Sequence, residues 1–471
     1  MYNYFRFQKK GKEYLITNDL GKYYYLDSEG FHDLVNDRIH EGHKLYQPLY
    51  DRFFVYDEDK EIFLQRIREV SRTSKRYLFA GTSLFIMVMT NSCNMGCVYC
   101  QASSPESEGS CKMSMETAKK SLDLIFSSPT PYVTIEFQGG EPLLNWEVLS
   151  FCVIYAEQKA QESKKTLNFA LVSNLTNITE EMFEFIEEHD INLSTSLDGN
   201  KAVHDWNRPF RSGKGSYDSV SSKIKEAQNR GLSIGAIETT TSKTLNSSHE
   251  LIEAYVNNNM HTIFLRPLTP LGIAGKNWDM IGYTPEQFVS FYKECLDALI
   301  RKNLEGYYIA EGHAQIFLSK ILAADAMNYM ELRSPCGAGV GQVAIHYNGN
   351  IYTCDEGRMV AEMGDNSFML GTVDQSYDEL IDCSVCKSVS SSSLLECIPE
   401  CCDCVYEPYC GTCPVINYAL YKDIYPKMPN QYRCKIYKGI LDSIFDILKE
   451  NDEEKIKILQ SWIKNQAEDN Q

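Results

Sequence analysis

The sequence lacks long apolar runs and is poor in positive charge. Its longest apolar run, residues 84–89, is too short to cross a bilayer, and no apolar signal region follows Met1. With 46 Lys and Arg residues against 64 Asp and Glu residues, the formal net charge is -18 at pH 7. Because nucleic acids and anionic membranes are bound mainly through Lys and Arg, we expect neither as a partner. We expect a cytoplasmic protein.

Cysteine, by contrast, is plentiful and unevenly placed. The 17 cysteines form a group of three between Cys93 and Cys100 and a group of eleven between Cys336 and Cys434, with Cys111, Cys152 and Cys295 between the groups. Because cytosolic thiols are kept reduced, this pattern favours metal binding over disulfides. The length of 471 residues predicts two or three domains, and the 43% of hydrophobic residues suffices for sizeable cores.

The central part of the chain alternates short apolar strands with amphipathic helices. Such alternation predicts a parallel sheet, either doubly wound or a partial barrel, with ligands at the carboxyl ends of its strands. We predict an α/β fold with a partial (β/α)6 TIM-like barrel. Its six strands are predicted at residues 84–90, 133–137, 168–173, 192–197, 234–240 and 262–268.

The first 80 residues carry no clustered chemistry and are predicted to form a small α+β domain. Three strands, a helix and a further strand are expected at residues 4–8, 12–17, 22–26, 28–39 and 53–56. This domain is either a cap or a peptide-docking module, since its layout resembles the small winged-helix recognition domains that bind leader peptides.

The cysteine-rich part is predicted to follow a long helix at residues 284–303. A hairpin is expected at residues 342–353 with Asn348-Gly349-Asn350 as its turn. The serine-rich residues 388–393 are expected to be a loop, and residues 435–463 to be helical. The predicted domains are residues 1–80, the barrel at 81–310, the cysteine-rich domain at 330–440, and a C-terminal helix and tail at 441–471.

The loop after the first barrel strand carries Cys93, Cys97 and Cys100, spaced C-x3-C-x2-C. Three thiolates on one loop can hold a [4Fe-4S] cluster by three irons and leave the fourth iron open to an exogenous ligand. The alternative, a structural zinc ion, normally takes four protein ligands. With Tyr99 included, the loop resembles the signature of radical S-adenosylmethionine (SAM) enzymes. The resemblance implies that SAM chelates the open iron, that its reduction yields a 5'-deoxyadenosyl radical, and that Tyr99 lies against the adenine.

Further SAM-binding candidates follow the next strands. Two adjacent glycines allow a close backbone approach, and a neighbouring carboxylate can accept hydrogen bonds from an ammonium group. In the resemblance the Gly-Gly-Glu-Pro motif contacts the SAM amino group, and the serine ending the fourth strand contacts the ribose. Apart from the family, His204, Asn207 and Arg208 look like solvated loop residues. The cofactor-binding candidates are Gly139, Gly140, Glu141, Pro142, Asn174 and Ser196.

The second cysteine group resembles the SPASM extension of radical SAM peptide and protein maturases. The resemblance implies two auxiliary [4Fe-4S] clusters, the first held by Cys336, Cys354 and Cys413 and the second by Cys401, Cys404, Cys410 and Cys434. The first set lacks a fourth cysteine at the usual place. Its fourth ligand is left open between a non-cysteine side chain, the substrate, and one of Cys383, Cys386, Cys397 and Cys402. Cys383-x2-Cys386 is equally typical of a zinc knuckle or redox pair and of spare thiols.

Asp355 directly follows Cys354 and is the candidate catalytic residue. A carboxylate beside an auxiliary cluster can take a proton from a substrate radical, and the matching aspartate of sulfatase-maturing enzymes is regarded as such a base. The alternative is a loop carboxylate hydrogen-bonded to Arg358.

These features predict a radical SAM/SPASM enzyme that oxidises or crosslinks a ribosomally made precursor peptide. Residues 97–103, 352–358 and 408–414 most resemble the maturase of His-Xaa-Ser peptide systems. The resemblance implies a one-electron donor such as flavodoxin or ferredoxin. The alternatives are a sulfatase-maturing, formylglycine-forming enzyme and a non-catalytic iron-sulfur or zinc scaffold.

Overall fold

The computed structural model describes residues 1–102, 111–323 and 327–469. Ser103, the last residue of the segment 97–103 compared above, lies outside the described residues, as do the last two residues of the predicted tail. The strands are β1 (Arg6–Lys10), β2 (Glu13–Thr17), β3 (Tyr23–Asp27), β4 (Leu84–Thr90), β5 (Tyr132–Gly139), β6 (Thr166–Val172), β7 (Ile191–Ser196), β8 (Ile234–Thr239), β9 (Thr262–Arg266), β10 (Ala310–Glu311), β11 (Gln342–Ile345), β12 (Asn350–Tyr352) and β13 (Met369–Thr372).

The helices alternate with the barrel strands and then dominate the C-terminal part. They are α1 (Ser28–Val35), α2 (Tyr46–Tyr50), α3 (Lys60–Ser74), α4 (Met115–Ser127), α5 (Trp146–Ser163), α6 (Glu180–Glu188), α7 (Lys201–Asn207), α8 (Tyr217–Asn229), α9 (Ser248–Asn257), α10 (Gly272–Lys276), α11 (Trp278–Ile281), α12 (Pro285–Leu304), α13 (Gly312–Leu322), α14 (Asp355–Glu362), α15 (Tyr377–Ile381), α16 (Ser384–Ser392), α17 (Pro414–Tyr421), α18 (Tyr432–Glu450) and α19 (Glu453–Asp469).

The main sheet is singly wound, as a barrel requires. In the described residues its order is β10-β9-β8-β7-β6-β5-β4-β11-β12-β13, and β4 to β10 are parallel neighbours in sequence order. A doubly wound sheet would reverse its strand order at a switch point. The partial (β/α)6 barrel is therefore confirmed, with β4 to β9 at the six predicted positions.

The helices of the barrel begin where their sequences provide capping side chains. The Thr179 hydroxyl accepts a hydrogen bond from the Met182 amide at 3.3 Å and starts α6. Thr284 and Gln287 form a reciprocal capping box at the start of α12, the helix predicted at residues 284–303. These caps fix where the two helices begin; α6 packs on β7, and α12 packs on α9 and α18.

The N-terminal segment forms an antiparallel sheet in the order β1-β2-β3. The strand expected at residues 53–56 is only a single bridge between Tyr2 and Val55, and α3 was not predicted. Among the described residues of α3 only Phe63 is buried. The segment packs on the cysteine-rich region through a buried ion pair of 3.0 Å between Arg6 and Glu407.

The cysteine-rich region extends the barrel sheet beyond β4. β11 lies parallel to β4, and the predicted hairpin returns as β12, with Gly349 in its turn at φ +86°. The Gly339 amide donates to the Thr353 carbonyl at 2.7 Å, so Cys354 lies near the amino end of β4. Helix α14 then runs back toward the carboxyl end, where the Glu362 carboxylate accepts from Asn91 at 2.8 Å.

The prediction of a loop at residues 388–393 is wrong, because most of these residues lie in α16. The serine hydroxyls bond to carbonyls of the same helix, with Ser391 donating to Lys387 and Ser393 to Val389, each at 2.8 Å. Buried Cys386 and Val389 provide the apolar face. Serine composition alone does not show these local bonds, which here accompany a helix.

The C-terminal tail is helical, as predicted, but broken in two. Asn451 adopts a left-handed conformation with φ 54° and separates α18 from α19. In the described part of the chain, no helix is long and apolar enough to span a membrane.

Candidate active site at the carboxyl edge of the barrel

A cavity of about 220 Å³ opens where the strands β4 to β9 end. Arg208, Arg266 and Met359 also line it. Glu141 and Pro142 are not among the described residues of its wall. Eight of the predicted residues line it: Cys93, Cys97, Tyr99, Cys100, Gly139, Gly140, Asn174 and Ser196.

The two glycines after β5 permit a close backbone approach to the cysteine loop, residues 91–101. The Gly140 amide donates to the Thr90 carbonyl at 2.8 Å, and the next amide donates to the Ser92 carbonyl at 2.9 Å. A Cβ on Gly139 would lie 2.1 Å from the Thr90 oxygen, and one on Gly140 would lie 2.3 Å from the Ser92 oxygen. The glycines therefore fix the start of the cysteine loop as well as bordering the cavity.

Glu141 is fully buried and connects the ends of two strands. Its carboxylate accepts from the Ser173 hydroxyl and the Asn174 amide, both at 2.8 Å. Burial raises the pKa of Glu141, and these hydrogen bonds oppose that rise. In this arrangement the carboxylate positions Asn174 at the cavity, and its predicted contact with the SAM amino group stays a prediction.

Tyr99 is held by two charged partners. Its hydroxyl donates to Asp198 Oδ2 at 2.6 Å and accepts from Arg208 Nη1 at 2.8 Å. Arg208 also opposes the effect of burial, which raises the pKa of Cys97 to about 11. Asp198 had no predicted role, although it stands two residues after Ser196 at the end of β7.

The interpretation of His204 and Asn207 as solvated loop residues is wrong, whereas Arg208 lies half-buried in the bend after α7. His204 and Asn207 are fully buried in α7, and Arg208 follows directly. His204 Nδ1 accepts from the Asp198 amide at 3.2 Å, and its Nε2 lies 3.1 Å from the hydroxyl of Ser216. Burial lowers the pKa of His204 to about 3, so it is neutral near pH 7. The helix thereby supports the partners of Tyr99.

The donor set of the cysteine loop fits an iron-sulfur cluster. Burial raises the pKa of Cys93 to about 12, so cluster assembly must remove protons, and Arg208 favours the thiolate of nearby Cys97. Among the described residues, no three His, Cys, Asp or Glu side chains converge closely enough for a single metal ion. The loop presents soft thiolate ligands, which suit an iron-sulfur cluster.

Four further cysteines, here called the four-thiol group, line one cavity of about 30 Å³ together with Lys438. Burial raises the pKa of Cys401 to about 12, and the charges of Cys434 and Cys404 add to the shift. This set coincides with the second predicted auxiliary cluster, whose ligand roles stay predictions. The members of the four-thiol group are Cys401, Cys404, Cys410 and Cys434.

Cys336, Cys354 and Cys413, here called the three-thiol group, are buried together in a small apolar cluster. The negative charge of buried Glu356 raises the pKa of all three in addition to burial. Burial, together with Glu331, raises the pKa of Glu356 itself to about 7. Sequence reasoning left a non-cysteine fourth ligand open without naming Glu356.

The other candidates for a fourth ligand have separate local roles. Cys383 caps α16 by accepting from the Cys386 amide at 3.4 Å, and Cys397 is exposed. The carbonyl of Cys402 accepts from Arg6 and Tyr4 of the N-terminal segment. The interpretations of Cys383 and Cys386 as a zinc knuckle, a redox pair or spare thiols stay predictions.

Asp355 opens α14 and is bound by Arg358. Nε and Nη2 of Arg358 donate to Asp355 Oδ1 at 2.9 and 2.6 Å. The contact of the alternative interpretation is thus present, although in a helix and not in a loop. The role of Asp355 as a base stays a prediction.

Comparison with known proteins gives the class of this site. Residues 87–254 match the model of the Radical SAM superfamily. The chain therefore contains a radical SAM domain, the module of an enzyme family that uses SAM and a [4Fe-4S] cluster.

Two curated relatives extend beyond that domain. The radical SAM cyclopropyl synthase TigE of Paramaledivibacter caminithermalis is 22% identical over 376 residues, 75% of this chain and 72% of that protein. A cysteine-type anaerobic sulfatase-maturating enzyme of Clostridium novyi is 21% identical over 374 residues, 77% of this chain and 94% of that protein. An uncharacterized protein of Methanocaldococcus jannaschii is 28% identical over 190 residues, 40% of this chain, which spans only 64% of that relative.

Two solved structures share the fold. Native anSMEcpe with bound AdoMet has a TM-score of 0.67 at 18% identity, covering 81% of this chain and 99% of that one. Streptococcus suis SuiB bound to the precursor peptide SuiA has a TM-score of 0.54 at 15% identity, covering 89% and 96%. The fold prediction is therefore supported over most of the chain.

Proposed function

We propose that this chain is a radical SAM/SPASM enzyme that oxidises or crosslinks a ribosomally made precursor peptide. The observation that carries the proposal is the grouping of seven cysteines into the three-thiol and four-thiol groups, apart from the cysteine loop. Two auxiliary clusters held by these groups would accept the electron that a substrate radical gives up. SuiB, which was solved with a precursor peptide, and TigE, a cyclopropyl synthase, support a peptide-modifying class.

The residues of the cavity have distinct tasks in this proposal. SAM and a reduced cluster supply a 5'-deoxyadenosyl radical when bound there. Cys93, Cys97 and Cys100 hold the cluster, while Asp198 and Arg208 fix Tyr99 on the cavity wall. Gly139, Gly140, Asn174 and Ser196 border the cofactor, and Glu141 keeps Asn174 in place. Asp355, which is not among the described residues of the cavity wall, would take the substrate proton.

The finer assignments belong to the same proposal. Residues 1–80 would recognise the peptide, residues 81–310 form the barrel, residues 330–440 hold the auxiliary clusters, and residues 441–471 form the C-terminal helix and tail. The peptide would be of the His-Xaa-Ser type, the donor a flavodoxin or ferredoxin, and the compartment the cytoplasm.

A sulfatase-maturing activity is the second candidate. It is favoured by the higher TM-score of anSMEcpe and by the 94% coverage of the Clostridium novyi enzyme. Against it, about a fifth of this chain has no counterpart in anSMEcpe, which covers 81% of it. That surplus is large enough for a separate recognition module.

The test uses anaerobically reconstituted full-length enzyme with SAM, a strong reductant and either a precursor peptide encoded beside it or a sulfatase-derived peptide. We expect 5'-deoxyadenosine, a changed mass for the precursor peptide alone, and about twelve iron atoms per chain from three clusters. Cys93→Ala should abolish SAM cleavage, whereas Cys152→Ala, at a buried thiol of α5, should not.

Three results would count against the proposal. Modification of the sulfatase peptide alone would favour the second candidate. An iron content near four atoms per chain would show that the auxiliary clusters are not present. Absence of SAM cleavage in the wild type would leave only a metal scaffold, and unchanged SAM cleavage in Cys93→Ala would exclude Cys93 as a ligand of the catalytic cluster.

A further inference from the structure

A second cavity, of about 490 Å³, lies between the N-terminal segment and the cysteine-rich region. We call it the charged cavity. Its volume is within the range of pockets that enclose organic ligands, and far above the need of an inorganic ion. Among the described residues its wall carries four cations, Arg6, Lys75, Lys320 and Arg333, and three carboxylates, Asp19, Glu396 and Glu407.

Two of its four cations are already paired with carboxylates. Arg6 contacts Asp19 at 2.7 Å and Glu407 at 3.0 Å. Lys75 forms an ion pair with Glu396. These contacts join the N-terminal segment and α3 to the cysteine-rich region and use all three carboxylates of the wall.

Lys320 and Arg333 have no carboxylate partner among the described residues. Lys320 donates to backbone carbonyls, among them that of Tyr409 at 2.8 Å. Arg333 donates from Nη1 to Asn328 at 2.6 Å and lies 4.5 Å from the ring centre of Tyr77. Although Arg333 is only 4% exposed, its Nε has no hydrogen-bond partner in the structure.

A buried guanidinium with an unused donor calls for an anion, because burying an uncompensated charge is costly. A carboxylate suits it, since the guanidinium fork matches carboxylate geometry. The wall also offers the serines of α3 as donors and the apolar side chains of Leu20, Met327 and Pro408. A cavity of this volume with both polar and apolar side chains in its wall fits a peptide side chain together with its flanking residues.

We propose that the charged cavity binds an acidic side chain of the peptide substrate, with Lys320 and Arg333 as its carboxylate-binding pair. This inference rests on the proposed function and specifies its substrate class, a peptide with an acidic residue in the docked segment. In a chain of net charge -18, such a peptide needs a local positive site.

The test is a binding measurement on reconstituted full-length enzyme without SAM. Fluorescein-labelled hexaglutamate is titrated by anisotropy, with labelled hexaglutamine as the neutral counterpart. We expect hexaglutamate to bind at least tenfold more tightly, and Lys320→Gln and Arg333→Gln each to weaken it about tenfold, as for loss of one charge-assisted hydrogen bond. Lys119→Gln, on exposed α4, is the matched control and should change nothing.

Folding and cluster content are checked by iron analysis and circular dichroism. The charge-conserving Lys320→Arg and Arg333→Lys should keep preferential binding, which separates lost charge from lost structure. Equal affinity for both peptides would overturn the proposal, as would displacement of hexaglutamate by inorganic phosphate at equal concentration. The proposal would also be overturned if both Gln variants bound hexaglutamate as the wild type does but lost iron. The two cations would then serve to compensate the negative charge of the thiolate clusters.

The outcome is independent of SAM chemistry. If the enzyme cleaves SAM and modifies a neutral peptide but does not bind hexaglutamate, this inference is refuted and the proposed function stands. Enzyme that binds hexaglutamate through both cations but alters no peptide would refute the proposed function alone.

Discussion

Replacing Gly140 by alanine tests whether the turn after β5 sets the position of the cysteine loop. The new Cβ would lie 2.3 Å from the Ser92 carbonyl oxygen and 2.7 Å from that of Asn91, whereas ordinary contacts begin near 3.4 Å. The two backbones must therefore separate by about 1 Å. Overpacking of this kind costs about 1–3 kcal/mol. Gly140 is not among the glycines with positive φ, so the cost arises from the contact and not from backbone strain.

The displaced segment leads directly into Cys93, so function should fall more than stability. A misplacement of about 1 Å at a reacting centre can cost about a hundredfold in rate. We expect Gly140→Ala to form 5'-deoxyadenosine about a hundredfold more slowly and to bind SAM more weakly, with thermal unfolding lowered by only a few degrees. The assays are product chromatography, equilibrium dialysis with SAM, iron analysis and calorimetry.

Gly235→Ala is the matched control, because its Cβ would lie 3.9 Å from the nearest described atom, on Ser194 of the neighbouring strand. That variant should behave as the wild type. The reasoning is refuted if Gly140→Ala keeps its SAM affinity and rate within twofold, or if both variants lose activity equally.

Three further predictions follow from the thiols and the titrating groups. The pKa of His204 is near 3 in the folded protein and about 6.5 in the unfolded chain. Below pH 6.5 the unfolded state therefore binds a proton that the folded state does not, and the free energy of unfolding falls. Urea unfolding should show a loss of about 2 kcal/mol between pH 7 and pH 5, and His204→Asn should lack that part of the loss. Cys434→Ala should lower iron by about four atoms per chain while 5'-deoxyadenosine still forms, and an unchanged iron content would exclude Cys434 as a ligand. Asp355→Asn should slow peptide modification, measured by mass spectrometry, about a hundredfold without slowing SAM cleavage. If both rates fell equally, a role of Asp355 as the base would be contradicted.

The barrel could be predicted from the sequence because its signals are local. Each strand from β4 to β9 is a short apolar segment, and helices such as α12 begin at their own capping residues. Once the strands are placed, the location of the cavity residues can also be predicted, because parallel strands bring their carboxyl ends to one edge of the sheet. The Gly-Gly pair illustrates the limit, because its contact with the Ser92 carbonyl is visible only in three dimensions.

The parts that sequence reasoning missed depend on contacts between distant segments. The sequence suggests solvated side chains at His204 and Arg208, but the fold buries His204 against Asp198 and hydrogen-bonds Arg208 to Tyr99. The serine-rich α16 is helical through side-chain to backbone bonds that composition does not reveal. Likewise, Glu356 is distinguished only by its burial among the three thiols.

Helix α14 has a consequence for the timing of the proposed reaction. It follows Cys354 and ends at Glu362, which contacts Asn91 at the start of the cysteine loop. Eight residues at about 1.5 Å each make it a spacer of about 12 Å between the two places where iron is proposed. An electron passed between iron held at these two places would cross a distance of that order. One inserted residue would turn Glu362 about 100° away from Asn91 and break the contact that joins the end of the helix to the cysteine loop.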